Sequence, residues 1–219
     1  MAASFDLTLY LVIGPDTAGG RPVEEVTAAA VAGGVTLVQL RDKTAPDLEL
    51  EALAGRLIEV LAPRRVPLII NDRIEVAEAV SAAGVHLGSD DRPVAEARAR
   101  LGPEAVIGVS AGTAEEAAAV DRRLVDYVGT GSVYPTSTKP DAGAAIGLEG
   151  LAALRRRLRL PMVAIGGIGQ ETAEAVSAVG VEGVAVVSAI CAAADPEAAA
   201  RSLRAAVERG RAHALAPER

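Results

Sequence analysis

Aromatic residues, cysteine and long apolar runs are all scarce in this sequence. Aromatic residues make up only 2% of its 219 residues while 50% are hydrophobic, so a core has to be built from alanine, valine, leucine and isoleucine. The only cysteine, Cys191, excludes an internal disulfide and a multi-cysteine metal site. No apolar run is long enough to span a membrane, and the N-terminus lacks the basic start and apolar core of a signal peptide. We therefore expect a cytoplasmic protein without a membrane partner.

Basic residues are in the minority, and lysine is nearly absent. The net charge of −7 argues against the basic face of a nucleic-acid-binding protein, so we expect no nucleic-acid partner. Lysine and arginine total 22, yet the only lysines are Lys43 and Lys139. Because an ammonium group and a guanidinium group are not interchangeable, we interpret the two lysines as positions required by chemistry. For a set this small, coincidence is the alternative.

Strand-like and helix-like stretches alternate along the whole chain. The predicted strands lie at 7–13, 35–40, 67–70, 84–87, 106–109, 126–130, 162–165 and 183–187. Strict alternation indicates right-handed βαβ units and a parallel sheet. The sequence therefore predicts an α/β fold, a (β/α)₈ TIM barrel, as a single domain at 1–210 with a frayed C-terminal tail at 211–219. A doubly wound open sheet is the main alternative, although no GxGxxG motif follows the first strand.

Polar side chains collect at the C-terminal ends of the predicted strands, where barrels of this type place their active sites. These ends carry Gln39, Arg41, Lys43, Asn71, Asp72, Asp91, Ser110, Thr136 to Lys139, Gly166, Gly167 and Ser188. The opposite loops are poorer and consist mainly of alanine, glycine and valine. Each polar residue alone has a structural explanation, as a helix cap, a surface pair or part of a tight turn. Their collection on one rim predicts an enzyme with the domain at 1–210 as its catalytic domain.

The stretch 127–139, YVGTGSVYPTSTK, has the most polar of these strand ends. An apolar strand runs through two glycines into three consecutive hydroxyl residues, Thr136, Ser137 and Thr138, and then reaches Lys139. Burying these groups without partners would be costly. We therefore expect a polar loop that binds an anionic ligand.

A phosphate site is predicted after the last two strands. Gly166 and Gly167 let backbone amides approach an anion closely, because no Cβ atom intervenes. Ser188, at the start of the next turn, adds donors. The loops after strands seven and eight are the usual phosphate position in barrels of this type.

The other half of the rim has the residues of a diphosphate site. Asp72 and Asp91 are hard oxygen ligands of the kind that bind Mg²⁺ together with substrate phosphates. Arg41, Lys43 and Lys139 would surround the remaining negative charge. Two anion sites on one rim suit the joining of two phosphorylated molecules with loss of diphosphate. If Asp72 and Asp91 are considered alone, the favoured explanation is that they cap helices or are solvated at the surface, and not that they bind a metal.

Seven motifs resemble those of the thiamine-phosphate synthases. They are VQLRDK at 38–43, LIINDR at 68–73, GVHLGSDD at 84–91, IGVSAGT at 107–113, DYVGTGSVYPTSTK at 126–139, VAIGGI at 163–168 and GVAVVSAI at 183–190. The motifs cover most of the chain in the expected order. Their combination is specific, whereas the GGI phosphate loop alone would not be.

The resemblance implies an alkyl transferase that couples 4-amino-2-methyl-5-hydroxymethylpyrimidine diphosphate to a thiazole phosphate, whose carboxylate, when present, is lost as CO₂. By motif match, the residues implied to bind the pyrimidine diphosphate are Gln39, Leu40, Arg41, Asp42, Lys43, Asn71, Ser110 and Lys139. Those implied to bind the thiazole phosphate are Thr136, Ser137, Thr138, Gly167, Val187 and Ser188. The implied cofactor is Mg²⁺, held by Asp72 and Asp91. The implied catalytic residues are Arg41, Lys43, Lys139 and Ser110.

We assign structural roles to two further residues, His86 and Cys191. His86 falls within the GVHLG pattern, but strand alternation does not fix the direction of its side chain. Cys191 lies outside the motifs, and we interpret it as an inert packing residue.

Three other functions stay open at this stage. A thiazole tautomerase would keep the thiazole-phosphate site without coupling, but it has no diphosphate that would require Arg41, Lys43, Asp72, Asp91 and Lys139. A non-catalytic relative could bind thiamine phosphate with the same residues. A generic phosphate-binding isomerase would leave the diphosphate half without a purpose. The expected partners are the small-molecule substrates, and a homodimer is an open alternative to a monomer.

Overall fold

Eight parallel strands close into a barrel, and a helix follows each strand. The structure is a computed structural model and describes residues 5–138 and 143–215. The strands are β1 Leu9–Ile13, β2 Leu37–Leu40, β3 Leu68–Asn71, β4 Gly84–Leu87, β5 Val106–Ser110, β6 Tyr127–Thr130, β7 Met162–Ile165 and β8 Gly183–Val186. The helices are α1 Val23–Ala32, α2 Asp47–Leu61, α3 Ile74–Ala79, α4 Val94–Leu101, α5 Ala114–Ala119, α6 Gly147–Arg157, α7 Ala173–Ser177, α8 Ser188–Cys191 and α9 Pro196–Leu215. Each strand pairs with the next and β8 pairs with β1, which confirms the predicted TIM barrel.

Each strand directs alternate side chains into the barrel and toward the helices. On β1, Tyr10 and Val12 belong to the cluster inside the barrel, whereas Leu9, Leu11 and Ile13 belong to the larger cluster that includes the helices. Both faces of the sheet are therefore covered. This is why the strands appear in the sequence as continuous apolar runs instead of alternating patterns.

The longer helices are amphipathic and bury one face against the barrel. On α2, Leu50, Leu53, Leu57 and Leu61 are buried, at the spacing of three and four residues that places them on one side of a helix. Shorter α5 begins with a capping box, in which the Thr113 side chain accepts a hydrogen bond from the Glu116 amide and the Glu116 carboxylate accepts one from the Thr113 amide. Among the helices of the described ranges, none combines the length and apolar character needed to cross a membrane.

Two differences from the sequence prediction go beyond small shifts of element ends. The four-residue helix α8 begins at Ser188, where the sequence predicts only a turn. The last helix, α9, continues to Leu215, so residues 211–215 are helical and do not belong to the predicted tail. The Asp195 side chain accepts a hydrogen bond from the Ala198 amide and so caps α9. Residues 216–219 lie outside the described residues.

Side chains satisfy the first backbone groups of several strands at the N-terminal end of the barrel. The Asp126 carboxylate accepts hydrogen bonds from the Ile107 amide and from the Arg98 guanidinium, both at 2.7 Å. Two strands further along the barrel, on β7, the Met162 amide donates a hydrogen bond to the Glu182 carboxylate at 2.6 Å. These partly buried groups are therefore paired. The N-terminal end of the barrel thus contributes to stability. In barrels of this type the active site lies at the opposite, C-terminal end.

We predict that Gly84→Ala strongly destabilises the fold. A Cβ atom at Gly84 would lie 1.8 Å from the Val106 carbonyl oxygen, because β4 and β5 are in close register there. The backbone would have to shift, so the free energy of unfolding should fall by at least about 1–3 kcal/mol. Urea denaturation followed by circular dichroism measures the change.

The matched control is Gly55→Ala, within helix α2. A Cβ atom at Gly55 meets no heavy atom within 4 Å, and alanine has the higher helix propensity. This variant should gain about 0.5–1 kcal/mol. Equal effects of the two substitutions would contradict the packing argument.

Candidate active site

A cavity of about 220 Å³ opens at the C-terminal ends of the strands. It is formed by the strand-to-helix loops and by the upper inward-facing side chains of the barrel. The predicted site residues in its wall are Gln39, Arg41, Lys43, Asn71, Asp72, Asp91, Ser110, Thr136, Thr138, Gly167, Val187 and Ser188. The fold therefore brings together residues from widely separated parts of the chain, as the barrel topology requires.

Four predicted site residues are not among those that line this cavity in the described structure. Leu40 is fully buried in the cluster that includes the helices, because its neighbour Gln39 takes the inward position on β2. The carboxylate of Asp42 accepts hydrogen bonds from the backbone amides of the next turn, and so shapes the loop that presents Arg41 and Lys43. Ser137 is exposed, and Lys139 lies outside the described residues.

Asp72 and Asp91 form an acidic pair in the cavity wall beside Lys43. Asp72 adopts a φ of +62°, a conformation that residues other than glycine seldom use. Burial, together with the neighbouring Asp91, raises the pKa of Asp72 to about 6. Lys43 Nζ lies 3.8 Å from Asp72 Oδ2 and only partly offsets this effect.

Asp91, the other carboxylate of the acidic pair, is held in its ionised form. Burial opposes ionisation of Asp91, but hydrogen bonds from the Asp72 carboxyl and the Gly88 amide outweigh it, so the pKa of Asp91 is lowered. The pair therefore shares one proton readily and carries two negative charges only at a cost. Such an arrangement is typical of a site completed by a cation.

The donor set suits Mg²⁺ better than a transition metal. Within the described ranges, no three histidine, cysteine, aspartate or glutamate side chains converge on one point. Asp72 and Asp91 supply two carboxylates, and Mg²⁺ typically takes one or two carboxylates while substrate phosphates and water complete its shell. The residues present therefore fit the predicted ion.

The loop after β7 is built for close backbone approach. Gly166 and Gly167 have φ values of +99° and +64°, which favour glycine. A Cβ atom at Gly166 would lie 2.0 Å from Ser132 Oγ. The amide of Tyr134 donates a 3.0 Å hydrogen bond to the Gly166 carbonyl, so the two loops are in direct contact. Together with Ser188 at the start of α8, this loop forms the second polar part of the cavity wall.

Four wall residues with polar side chains, Tyr10, Thr17, His86 and Ser132, were not predicted as site residues. Tyr10 lies inside the apolar run of β1, Ser132 follows β6, and His86 faces the interior although the sequence predicts only a structural role for it. In the sequence, the one signal that could have identified Tyr10 as a site residue was the scarcity of aromatic residues. A tyrosine in a doubly buried strand needs a partner for its hydroxyl, so Tyr10 had to face a polar region.

We predict that Asp72→Asn stabilises the protein in the absence of divalent metal. The pKa of Asp72 in the folded protein is about 6, above the ordinary value of 3.8. Ionisation of Asp72 therefore increasingly destabilises the fold as the pH rises from 3.8 to about 6. At pH 7 the variant should gain about 1–3 kcal/mol, and by about pH 4 the gain should vanish. Urea denaturation in a chelator at both pH values tests this.

The control is Asp42→Asn in the neighbouring loop. Burial opposes ionisation of Asp42, but hydrogen bonds from Thr44 and Ala45 outweigh it, so its pKa is lowered. Its ionised form therefore stabilises the fold above the ordinary carboxyl pKa, and that contribution is lost as the pH falls. At pH 7 this variant should lose stability; a gain in both variants would refute the electrostatic explanation.

The sequence and the structure were compared with those of known proteins. Residues 9–190 match the family described as Thiamine monophosphate synthase. A thiamine-phosphate synthase of Azorhizobium caulinodans is 54% identical over 96% of this chain and 100% of its own length. One of Moorella thermoacetica is 47% identical over 93% of this chain and 97% of its own.

A solved structure gives the same result. Thiamine phosphate pyrophosphorylase from Pyrococcus furiosus superposes with a TM-score of 0.84 at 37% identity, covering 93% of this chain and 96% of that one. The family match spans most of the barrel, and the two relatives align with almost their whole length. The chain therefore belongs to the thiamine monophosphate synthase family, as its motifs predicted.

Proposed function

We propose that the protein condenses 4-amino-2-methyl-5-(diphosphooxymethyl)pyrimidine with 4-methyl-5-(2-phosphoethyl)thiazole to give thiamine phosphate and diphosphate. With the 2-carboxy form of the thiazole, the carboxylate is also released as CO₂. Family membership confirms the prediction of an enzyme, a transferase of thiamine biosynthesis. One observation supports the assignment of both substrates: the wall of a single cavity has two chemically different halves. One half is charged and contains Asp72, Asp91 and Lys43, and the other is rich in glycine and contains Gly166 and Gly167.

The pyrimidine diphosphate is assigned to the first half. Gln39 and Asn71 are buried near the ends of β2 and β3, whereas Ser110 is exposed at the end of β5. All three line the cavity and can hydrogen-bond the ring substituents and the diphosphate. Arg41 and Lys43 follow β2 and face the charge of the diphosphate. We retain Lys139 as a further cation on the basis of the motif match.

Mg²⁺ is assigned to Asp72 and Asp91. When bound, the ion would neutralise negative charge on the diphosphate and stabilise it as a leaving group. The two carboxylates would hold the ion beside Lys43 while the basic side chains contact the remaining oxygens. This arrangement also relieves the repulsion within the acidic pair.

The thiazole phosphate is assigned to the second half. The amides around Gly167, with Val187 and the hydroxyl of Ser188, would bind its phosphate. Thr136 and Thr138 also line the cavity, and we assign the thiazole ring to them. Ser137 is retained on the basis of the motif match.

The chemistry needs no side-chain nucleophile. The bond between the exocyclic methylene and the diphosphate oxygen breaks, and its electron pair leaves with diphosphate. The aminopyrimidine delocalises the positive charge that develops on the methylene, and the thiazole nitrogen then donates its lone pair to form the new C–N bond. The side chains act by positioning both substrates and by stabilising the departing charge.

We also propose that the enzyme acts in the cytoplasm on small molecules, without a nucleic-acid or membrane partner. Its single cysteine supports this location, since Cys191 is buried and forms no disulfide. Burial raises the pKa of the Cys191 thiol to about 11, so it stays protonated and inert.

The decisive experiment measures product formation by the purified protein. The pyrimidine diphosphate, the thiazole phosphate and Mg²⁺ are supplied together, and each is then omitted in turn. Diphosphate and thiamine phosphate should form only when all three are present. Tight binding of thiamine phosphate without turnover would instead identify a binding protein.

We predict that Lys43→Ala lowers kcat by about 10²–10³-fold, because it removes a preorganised cation from the leaving diphosphate. Lys139→Ala should behave similarly. Both proteins should keep the wild-type circular dichroism spectrum and melting temperature, since the Lys43 side chain is half exposed. Steady-state kinetics with saturating substrates measures the effect.

The control variant is Arg122→Ala. Arg122 is an exposed basic residue in the helix-to-strand loop between α5 and β6, at the opposite end of the barrel. Its removal changes the net charge equally but should leave kcat unchanged. Wild-type turnover in Lys43→Ala or Lys139→Ala would remove that lysine from the proposed site.

A further inference from the structure

A chain of hydrogen bonds crosses the barrel interior and joins two parts of the cavity wall. Gln39 Nε2 donates to Tyr10 Oη at 2.7 Å, and Tyr10 Oη lies 2.8 Å from Tyr127 Oη. His86 Nδ1 lies 3.0 Å from Tyr127 Oη, and His86 Nε2 lies 3.0 Å from Ser110 Oγ. The chain thus connects five strands, and its two ends, Gln39 and Ser110, both line the cavity.

The barrel makes room for this chain at two glycines. A Cβ atom at Gly108 on β5 would lie 2.1 Å from the Tyr127 ring and 2.4 Å from its hydroxyl. A Cβ atom at Gly129 on β6 would lie 3.0 Å from the His86 ring. Both glycines therefore leave the space that the hydrogen-bonded rings occupy, which marks the arrangement as a built feature of the interior.

The protons of the chain run in one direction. The amide nitrogen of Gln39 can only donate, so Tyr10 Oη accepts this hydrogen bond and directs its own proton to Tyr127. The opposite direction at this link would leave the Tyr10 proton without a partner in the described interior, at a substantial cost for a buried donor. The Tyr127 proton then points to His86 Nδ1.

Both tyrosines keep their protons under ordinary conditions. They are almost completely buried, and burial raises the pKa of each hydroxyl above the usual value of about 10. The direction of the chain is therefore set by neutral groups. It continues through the imidazole to the hydroxyl of Ser110.

We propose that this chain holds His86 as its neutral Nε2–H tautomer and makes Ser110 a hydrogen-bond donor toward the cavity. The imidazole Nε2–H donates to Ser110 Oγ, so the serine proton is left to face the ligand. At the other end, the Gln39 nitrogen is engaged with Tyr10, which leaves the amide oxygen as an acceptor. Tyr10, Tyr127 and His86 are positioning residues.

The two ends of the chain, Gln39 and Ser110, then match the hydrogen-bonding groups of the pyrimidine diphosphate. This inference rests on the proposed function. The pyrimidine diphosphate carries an amino group, which is a donor, and diphosphate oxygens, which are acceptors. An acceptor at Gln39 and a donor at Ser110 complement this pattern. The buried chain fixes both polarities at once, before the substrate enters.

The primary test reads the tautomer directly. The chain has two histidines, so protein labelled with ¹⁵N-histidine gives two sets of imidazole signals, with His213 on the exposed face of α9 as the reference. At about pH 8, above the ordinary histidine pKa, the long-range ¹H–¹⁵N spectrum should show His86 protonated at Nε2 alone. Protonation at Nδ1 would mean that the chain runs in the opposite direction and would overturn the proposal, even if turnover is normal.

Two conservative variants separate the links of the chain. Tyr127→Phe removes the proton that points to Nδ1, so His86 should become a mixture of tautomers. Tyr10→Phe removes the bond to Gln39 but keeps the Tyr127 proton, so the His86 tautomer should not change. Tyr134→Phe, at a tyrosine outside the chain, is the matched control and should also leave the His86 signals unchanged. A merely structural role for the tyrosines predicts no such difference.

The kinetic arm uses the same proteins. In Tyr10→Phe and Tyr127→Phe, kcat/KM for the pyrimidine diphosphate should fall about tenfold, the effect of one hydrogen bond, while KM for the thiazole phosphate stays unchanged. Equal losses for both substrates would contradict the proposal. If wild type formed no thiamine phosphate, the proposed function would fail, whereas the tautomer measurement would still decide whether the chain has the stated direction.

Discussion

A closed barrel of parallel strands must send alternate side chains inward and outward on every strand, and most features of this protein follow from that constraint. Tyr10 and Leu11 are neighbours in the chain, yet they contact different clusters on opposite faces of the sheet. The same alternation places Gln39 in the cavity wall and Leu40 against the helices. With both faces covered, the largest polar side chains of the interior, such as Tyr10 and Tyr127, hydrogen-bond to one another.

The two ends of the barrel deal with polar groups in different ways. At the N-terminal end, carboxylates such as Asp126 and Glu182 accept hydrogen bonds from the first amides of strands, and the groups involved are paired. At the C-terminal end, Asp72 and Asp91 face each other, and the pKa of Asp72 rises to about 6. This unfavourable pairing lies in the cavity wall. It supports the proposed site for a cation and an anionic substrate.

The interior hydrogen-bond chain links the stability of the barrel with its specificity. A hydroxyl such as that of Tyr127 would be costly to bury alone, but inside the chain its proton has a defined acceptor. The same order sets the direction of each bond at the cavity wall. Small residues take part as well, since the rings of Tyr127 and His86 fit only because Gly108 and Gly129 lack side chains.

The sequence by itself determined the barrel, the family and most of the polar and charged side chains of the cavity wall, because strand periodicity and the residues that follow each strand are local properties. Asp72 and Gly167, for example, follow apolar strands and so had to reach the same rim. Three other features depended on the tertiary structure: the shaping role of Asp42, the outward direction of Leu40 and the partners of His86. Their surroundings come from other strands and loops, and alternation gives a side chain two possible faces until the barrel closes and assigns one of them.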